Sequence, residues 1–193
     1  MLMPTATLVW GNQTLADLER VDGKAELIAG RIIHLMGAGL RHNNTSASIY
    51  RSLHEHRRAS GHGMAFIDNM LFGIDPPLSS GRQSFSPDAS FYAGRIGADV
   101  TGVLEAAPTF AVEVRSDNDY GPVAESEMAE KRADYFEAGT LVVWDVDWKR
   151  SETVAVYRSS DPENPRVYSR GEIADAEPAL PGWRIPVDDV FAP

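Results

Sequence analysis

Glu113 sits inside Phe110-Ala111-Val112-Glu113-Val114, a lone carboxylate in a short apolar stretch. Such a stretch reads as a strand buried on both faces. A carboxylate there is costly unless it is paired or bound to a metal. Two other residues answer that need. Asp88 follows Pro87 in the strand-like run Ser86-Pro87-Asp88-Ala89-Ser90-Phe91-Tyr92. Lys131 lies in the helical stretch Ala124 to Ala138, where Met128, Lys131 and Tyr135 stand at i, i+3 and i+7 and share one face. Carboxylates that converge hold Mg²⁺, or Mn²⁺ in its place, as hard cations that prefer oxygen ligands. Such a metal lowers the pKa of a bound water and offsets charge on a scissile phosphate. A lysine nearby helps orient that water and neutralise the developing charge. The chemistry in prospect is metal-assisted phosphodiester hydrolysis, with Asp88, Glu113 and Lys131 as its catalytic residues.

Each residue also has a plainer reading. Asp88 after a proline can be a turn or cap residue. Lys131 can snorkel to solvent. Arg115, two positions after Glu113, stays protonated and cannot be a base, though it could hold a phosphate. Arg51, His54, His56, Arg57, Arg58 and His62 form a locally basic group. It could meet a DNA backbone, but a solvated helix face is the plainer account. His54 and His56 are two apart and share no helix face, which argues against zinc. Trp144 and Trp148 read as core and rim packing.

The elements that must position these groups follow from periodicity and punctuation. Residues 12–21 read as a short helix with Thr14 as its N-cap and Asp17 as box partner. Ala25 to Ile28 and Arg31 to Met36 read as a hairpin turning at Ala29-Gly30. Gly37 to Gly39 break it, and Asn43 to Ser60 is an amphipathic helix ended by Gly61. Met64 to Asp75 holds one or two strands, Leu78 to Gln83 a glycine- and serine-rich loop, and Phe85 to Tyr92 the strand carrying Asp88. Ala93 to Pro108 reads as a surface excursion with a little helix. Thr109 to Val114, the helix over 124–138 with Gly139 beyond it, and Leu141 to Asp147 predict a strand–helix–strand unit with a parallel crossover. Thr153 to Tyr157 and Arg166 to Tyr168 predict a hairpin around a loop holding Asp161-Pro162. Leu180 to Trp183 should be irregular and cover the core.

The chain has 193 residues, enough for one domain, 1–193, around one core. Its 43% apolar and 24% charged content is that of a globular protein in water. Cysteine is absent, which excludes disulfides and thiolate metal sites. Met1 to Trp10 shows no basic segment followed by an apolar one, so no signal peptide is expected and the expected location is cytoplasmic. No apolar run approaches the ~20 residues that span a bilayer, so no membrane partner is expected. A net charge of −10 argues against a protein held on nucleic acid by bulk electrostatics. It leaves room for a metal-dependent nuclease, because bound cations invert the local field.

Several blocks in order resemble a known family. They are Ala25-Glu26-Leu27-Ile28-Ala29-Gly30-Arg31-Ile32, Pro87-Asp88-Ala89-Ser90-Phe91, Val112-Glu113-Val114-Arg115-Ser116, Lys131 to Gly139, Val143 to Asp147, and Leu180-Pro181-Gly182. Together they resemble the bacterial Uma-two family of restriction-endonuclease-like proteins in the PD-(D/E)XK nuclease superfamily. The resemblance covers roughly residues 14–191. It implies an α/β fold with a restriction-endonuclease-like core, a mixed β-sheet flanked by α-helices. It implies that Glu26, Asp88 and Glu113 form the acidic metal site and that Lys131 is a displaced catalytic lysine. It implies a DNA endonuclease using Mg²⁺ or Mn²⁺. The residues alone would make Glu26 an exposed hairpin residue, since glutamate is rarely buried. The segment Ser116 to Glu130 is longer than a typical member's, which leaves the loop over the site open. Two rivals stand beside the enzyme. One is a catalytically silent nuclease-fold protein that binds nucleic acid or a partner protein, which the acidic balance favours. The other is a homodimer joined through Trp and Met residues on the terminal segments.

Overall fold

A computed structural model gives the fold and describes residues 10–192. The expectation of no leader over Met1 to Trp10 lies outside the described residues, save Trp10 itself. In chain order the elements begin with α1 (Leu15–Leu18), the hairpin β1 (Ala25–Ile28) and β2 (Arg31–His34), and α2 (Leu40–Ser60). There follow β3 (Met64–Ile67), β4 (Phe72–Gly73), β5 (Ser84–Phe85), β6 (Ala89–Tyr92), β7 (Phe110–Val114), α3 (Pro122–Glu137) and β8 (Val142–Asp147). The chain closes with β9 (Thr153–Arg158), β10 (Asp161–Tyr168), β11 (Ile173–Asp175), β12 (Arg184–Pro186) and α4 (Val187–Val190).

The centre is a six-stranded sheet in the order β10-β9-β8-β7-β6-β3. All neighbours are antiparallel except β7 and β8, which run parallel with α3 as the crossover between them. A mixed sheet flanked by helices is thus the α/β architecture expected. Strand alternation divides the side chains between two faces. Phe110, Val112 and Val114 of β7 and Val142, Trp144 and Val146 of β8 join Ile49 and Leu53 of α2 in the larger core. Ala111 and Val143 point the other way, into a smaller core with Phe72, Phe85 and Tyr135 of α3. Glu113 follows Ala111 by two residues and so shares its face.

Local chemistry fixes the parts near that face. Thr14 and Asp17 exchange hydrogen bonds in a full capping box at α1. The β1–β2 turn has positive φ at both Ala29 and Gly30 (49° and 66°), the pairing a two-residue primed turn needs. At Gly30 a Cβ would meet the Gly11 carbonyl oxygen at 2.5 Å, so glycine is required twice over.

Three expectations are corrected. Phe85 to Tyr92 is not one strand: β5 pairs with β4, Ser86-Pro87-Asp88 crosses over, and β6 joins the main sheet. Proline cannot donate to a ladder, and the break falls there. Asp161-Pro162 lies within β10 rather than in a loop, and a register shift between Asp161 and Arg166 absorbs the prolines. Residues 93–108 hold turns and a bridge from Leu104 to Phe72 but no helix. Residues 180–183 are irregular, with Leu180 and Trp183 buried, as expected. Among the described residues no helix is long and apolar enough to cross a membrane.

Candidate active site

The register of the two middle strands brings the carboxylates together. β6 pairs with β7 as Ala89 with Val112 and Ser90 with Ala111, and the Asp88 N–H donates to the Val112 carbonyl at 3.0 Å. That bond is offset by one residue from the ladder, so the register ends at Ala89, and Asp88 turns its carboxylate to the Val114 N–H at 2.7 Å. Asp88 and Glu113 then line one cleft, where the charge of each disfavours the other, so the pair needs cations. α3 supplies one. Lys131 Nζ lies 2.9 Å from Glu113 Oε1 and 3.0 Å from Glu26 Oε1. One turn on, the Tyr135 hydroxyl donates to Glu113 Oε1 at 2.6 Å. Phe85 stacks on the Tyr135 ring at 4.1 Å and holds it in place.

Glu26 is buried, not an exposed hairpin residue. Arg82 donates to its Oε2, and the Ser86 N–H donates to Oε1 at 3.1 Å. With Lys131, both oxygens are engaged. Arg82 also donates to Asp134 at 2.7 Å. A second chain of charges surrounds Asp88. Lys24 Nζ bridges Asp88 Oδ1 and Asp68 Oδ1 at 2.6 Å each. Asp88 Oδ2 faces His42 Nε2 at 3.2 Å and accepts from the Val114 N–H at 2.7 Å. Asp88, Glu113, Lys131, Lys24, His42 and Arg82 line one cleft of about 840 Å³.

Electrostatics separates the acids. Burial would raise Glu26, but Lys131 and Arg82 hold it down to about 2. Burial opposes Asp88 likewise, yet His42 and Lys24 keep it well below the usual carboxylate range. Glu113 goes the other way. Burial raises it; Lys131 pulls it down, but the charge of Asp88 adds to the rise. Burial disfavours the Lys131 cation, and Glu113 and Glu26 more than compensate, so its pKa is raised and it stays protonated. Burial, then Glu113, pushes the Tyr135 hydroxyl well above its ordinary value. Tyr135 is therefore a donor to Glu113 at any working pH. Tyr135→Phe is expected to cost about 1.5–3 kcal/mol of stability, the usual contribution of a hydrogen bond to a charged group. Chemical denaturation of the two proteins side by side measures this; equal stability would show that Glu113 does not depend on the hydroxyl.

The sequence-expected set Glu26, Asp88, Glu113 and Lys131 is thus brought together. Arg115 is not part of it. It donates to Asp145 at 2.7 and 2.8 Å and to Glu125, so no phosphate-holding fork is left over. Lys24, His42 and Arg82 were missed. The expected start of α2 at Asn43 left His42 in a loop, whereas the helix begins at Leu40. Arg82 fell in the glycine- and serine-rich loop. The one available signal was charge balance: three acids expected in a buried site call for more cations than Lys131 alone.

Among the described residues no three His, Asp or Glu side chains gather as a metal cage. A Mg²⁺ site needs no such cage, since one or two carboxylates with water and substrate phosphate suffice. Oxygen donors are present in the cleft. Among the described residues no hydrogen bond reaches Glu113 Oε2, since Tyr135 and Lys131 both sit at Oε1, and Asp88 Oδ1 accepts from Lys24. Hard oxygen donors in one cleft fit a small divalent cation.

The crystal structure of a putative nuclease of the DUF820 group from Anabaena variabilis matches with a TM-score of 0.71 at 18% identity, over 92% of this chain and 97% of that one. That likeness is one of fold. No curated protein matches the chain. The family model described as "Putative restriction endonuclease", Uma2, matches residues 13–188. By that match, which takes in β1, the Asp88 crossing, β7 and α3 alike, the chain belongs to the Uma2 family.

Proposed function

We propose that the protein is a Mg²⁺- or Mn²⁺-dependent endonuclease that hydrolyses phosphodiester bonds in DNA. The observation that carries this reading is that Asp88 and Glu113 line one open cleft, with Asp88 fixed by the Val114 N–H at 2.7 Å and Lys131 Nζ 2.9 Å from Glu113. Asp88 and Glu113 would hold the metal, which when bound supplies an acidified water and offsets phosphate charge. Glu26 lies among the expected ligands, but its oxygens are engaged by Arg82, Ser86 and Lys131. Its part in this reading is to hold Lys131. Lys131, kept protonated by Glu113 and Glu26, is no base. It presents fixed positive charge to the phosphoryl oxygens as negative charge grows there. Tyr135 aims Glu113, and His42 aims Asp88.

A second reading is a catalytically silent nuclease fold that binds nucleic acid or protein. It is favoured by the net charge of −10 and by the cations already paired within the cleft. One experiment separates the two. Plasmid and single-stranded DNA are incubated with the protein in Mg²⁺, Mn²⁺ or EDTA, and thermal unfolding is recorded in the same buffers. Cleavage is expected with metal only. Saturating Mg²⁺ at about 100 times its Kd should stabilise the parent by about 2.7 kcal/mol, and should leave Glu113→Ala unmoved. Metal binding without cleavage of any substrate would establish the silent reading. Cleavage that persists in EDTA would reject the mechanism.

A further inference from the structure

Asp88 meets its cations unequally. Oδ2 is tied to the backbone, because the Val114 N–H of β7 donates to it at 2.7 Å and His42 Nε2 sits 3.2 Å away. Among the described residues the hydrogen bond to Oδ1 comes from the Lys24 ammonium at 2.6 Å, and that ammonium has a second acid, Asp68, at the same distance. Asp68 stands in the turn after β3 and its side chain is 30% exposed, against 5% for Asp88. A lysine ammonium is a compact cation on a flexible stem, able to move between two such oxygens. The oxygen of Asp88 that is free of the backbone is therefore the one a lysine occupies.

We propose that Lys24 is an exchangeable internal cation, seated on Asp88 Oδ1 until a divalent cation takes that oxygen and thereafter held by Asp68. This rests on the metal-dependent reading above and adds a competitor to it. Lys24, which feels the charge of both Asp88 and Glu113, offsets their repulsion when no metal is bound. It also sets how much metal is needed, since every binding event must release the ammonium. Asp68 is the second seat that makes the release possible.

The test is calorimetric titration of Mn²⁺ into the full chain, without nucleic acid, for the parent, Lys24→Met and Asp68→Asn. Lys24→Met should bind Mn²⁺ more tightly by about 5–150-fold, the usual range for coupled sites. Asp68→Asn should bind it more weakly, because the lysine then has only Asp88. On titrating Mg²⁺ into the parent, the ammonium resonance of Lys24 should shift to saturation. That of Lys149, paired with Asp117 at the surface, should not. Unchanged or weaker binding by Lys24→Met, or an unmoved Lys24 resonance, overturns the exchange. If Lys24→Met does not fold, Asp68→Asn decides, and Mn²⁺ binding as tight as the parent's overturns it. No binding by the parent would instead overturn the metal-dependent reading.

Discussion

Lys131→Ala is expected to lower the rate of metal-dependent DNA cleavage by about 10²–10³-fold, the loss typical of one preorganised donor. Excess metal should not restore it. Lys131 lies between Glu113 and Glu26 and is held protonated by both. What it supplies is fixed charge in a cleft, and an added metal ion cannot take that place on α3. Lys131→Arg should fail too, because a planar guanidinium cannot fit between two carboxylates spaced for an ammonium. Asp88→Ala makes the contrast. It removes an oxygen donor, so its loss should be recovered in part at high Mg²⁺. Initial rates across a metal titration, with all four proteins side by side, check both. Full activity in Lys131→Ala would remove the lysine from the mechanism, and rescue of that variant by metal would assign it to metal binding instead.

Arg82→Met is expected to destabilise the fold by about 3–5 kcal/mol at neutral pH, the cost of removing one partner from a buried ion pair. For a chain of this size that is a fall in Tm of roughly 6–20 °C. Arg82 serves Glu26 and Asp134 at once, and all three are buried. The arginine also lies over the Phe85 ring at 5.3 Å. The pH dependence has a definite sign. Glu26 is held down to about 2 from an ordinary 4.5. Its contribution is thus present above 4.5 and is lost as the pH falls toward 2. Without Arg82 that contribution shrinks. The gap between parent and variant should be widest at neutral pH and should narrow between 4.5 and 2. Thermal unfolding at a series of pH values measures it, and a gap independent of pH would mean that packing, not charge, dominates.

The sequence showed the strands and helices of the site more fully than its electrostatics. Glu113 in an apolar run, and Lys131 with Tyr135 one turn on, are local patterns, and local patterns persist in the fold. Asp88 was legible through its proline, although the proline marks a crossing between sheets rather than the opening of a strand. Lys24, His42 and Arg82 were not legible, since each reaches the site from a turn or a helix start. Lys24 finds Asp88 64 positions away, and Arg82 finds Glu26 56 positions away. No periodicity encodes such meetings; the packing of the β1–β2 hairpin against β5 creates them. Arg115 shows the opposite case. Its position two residues after Glu113 left it free to hold a phosphate, but β7 ends at Val114 and the guanidinium turns to Asp145 and Glu125.

The placing of Asp88 just before β6 and of Glu113 in β7 also determines where this chain can change length. The link between the two strands is a loop, and residues 97–102 of it are exposed. Additions or deletions there leave Phe91 opposite Phe110, and so leave Asp88 bonded to the Val112 and Val114 backbone beside Glu113. A single residue lost between Asp88 and Tyr92 has a different effect. It turns Asp88 to the other face of the sheet, toward Ile49 and Leu53, while Glu113 stays where it was. Insertions can therefore accumulate in that loop and leave the two carboxylates together, whereas the four residues of β6 admit substitution but no change in number.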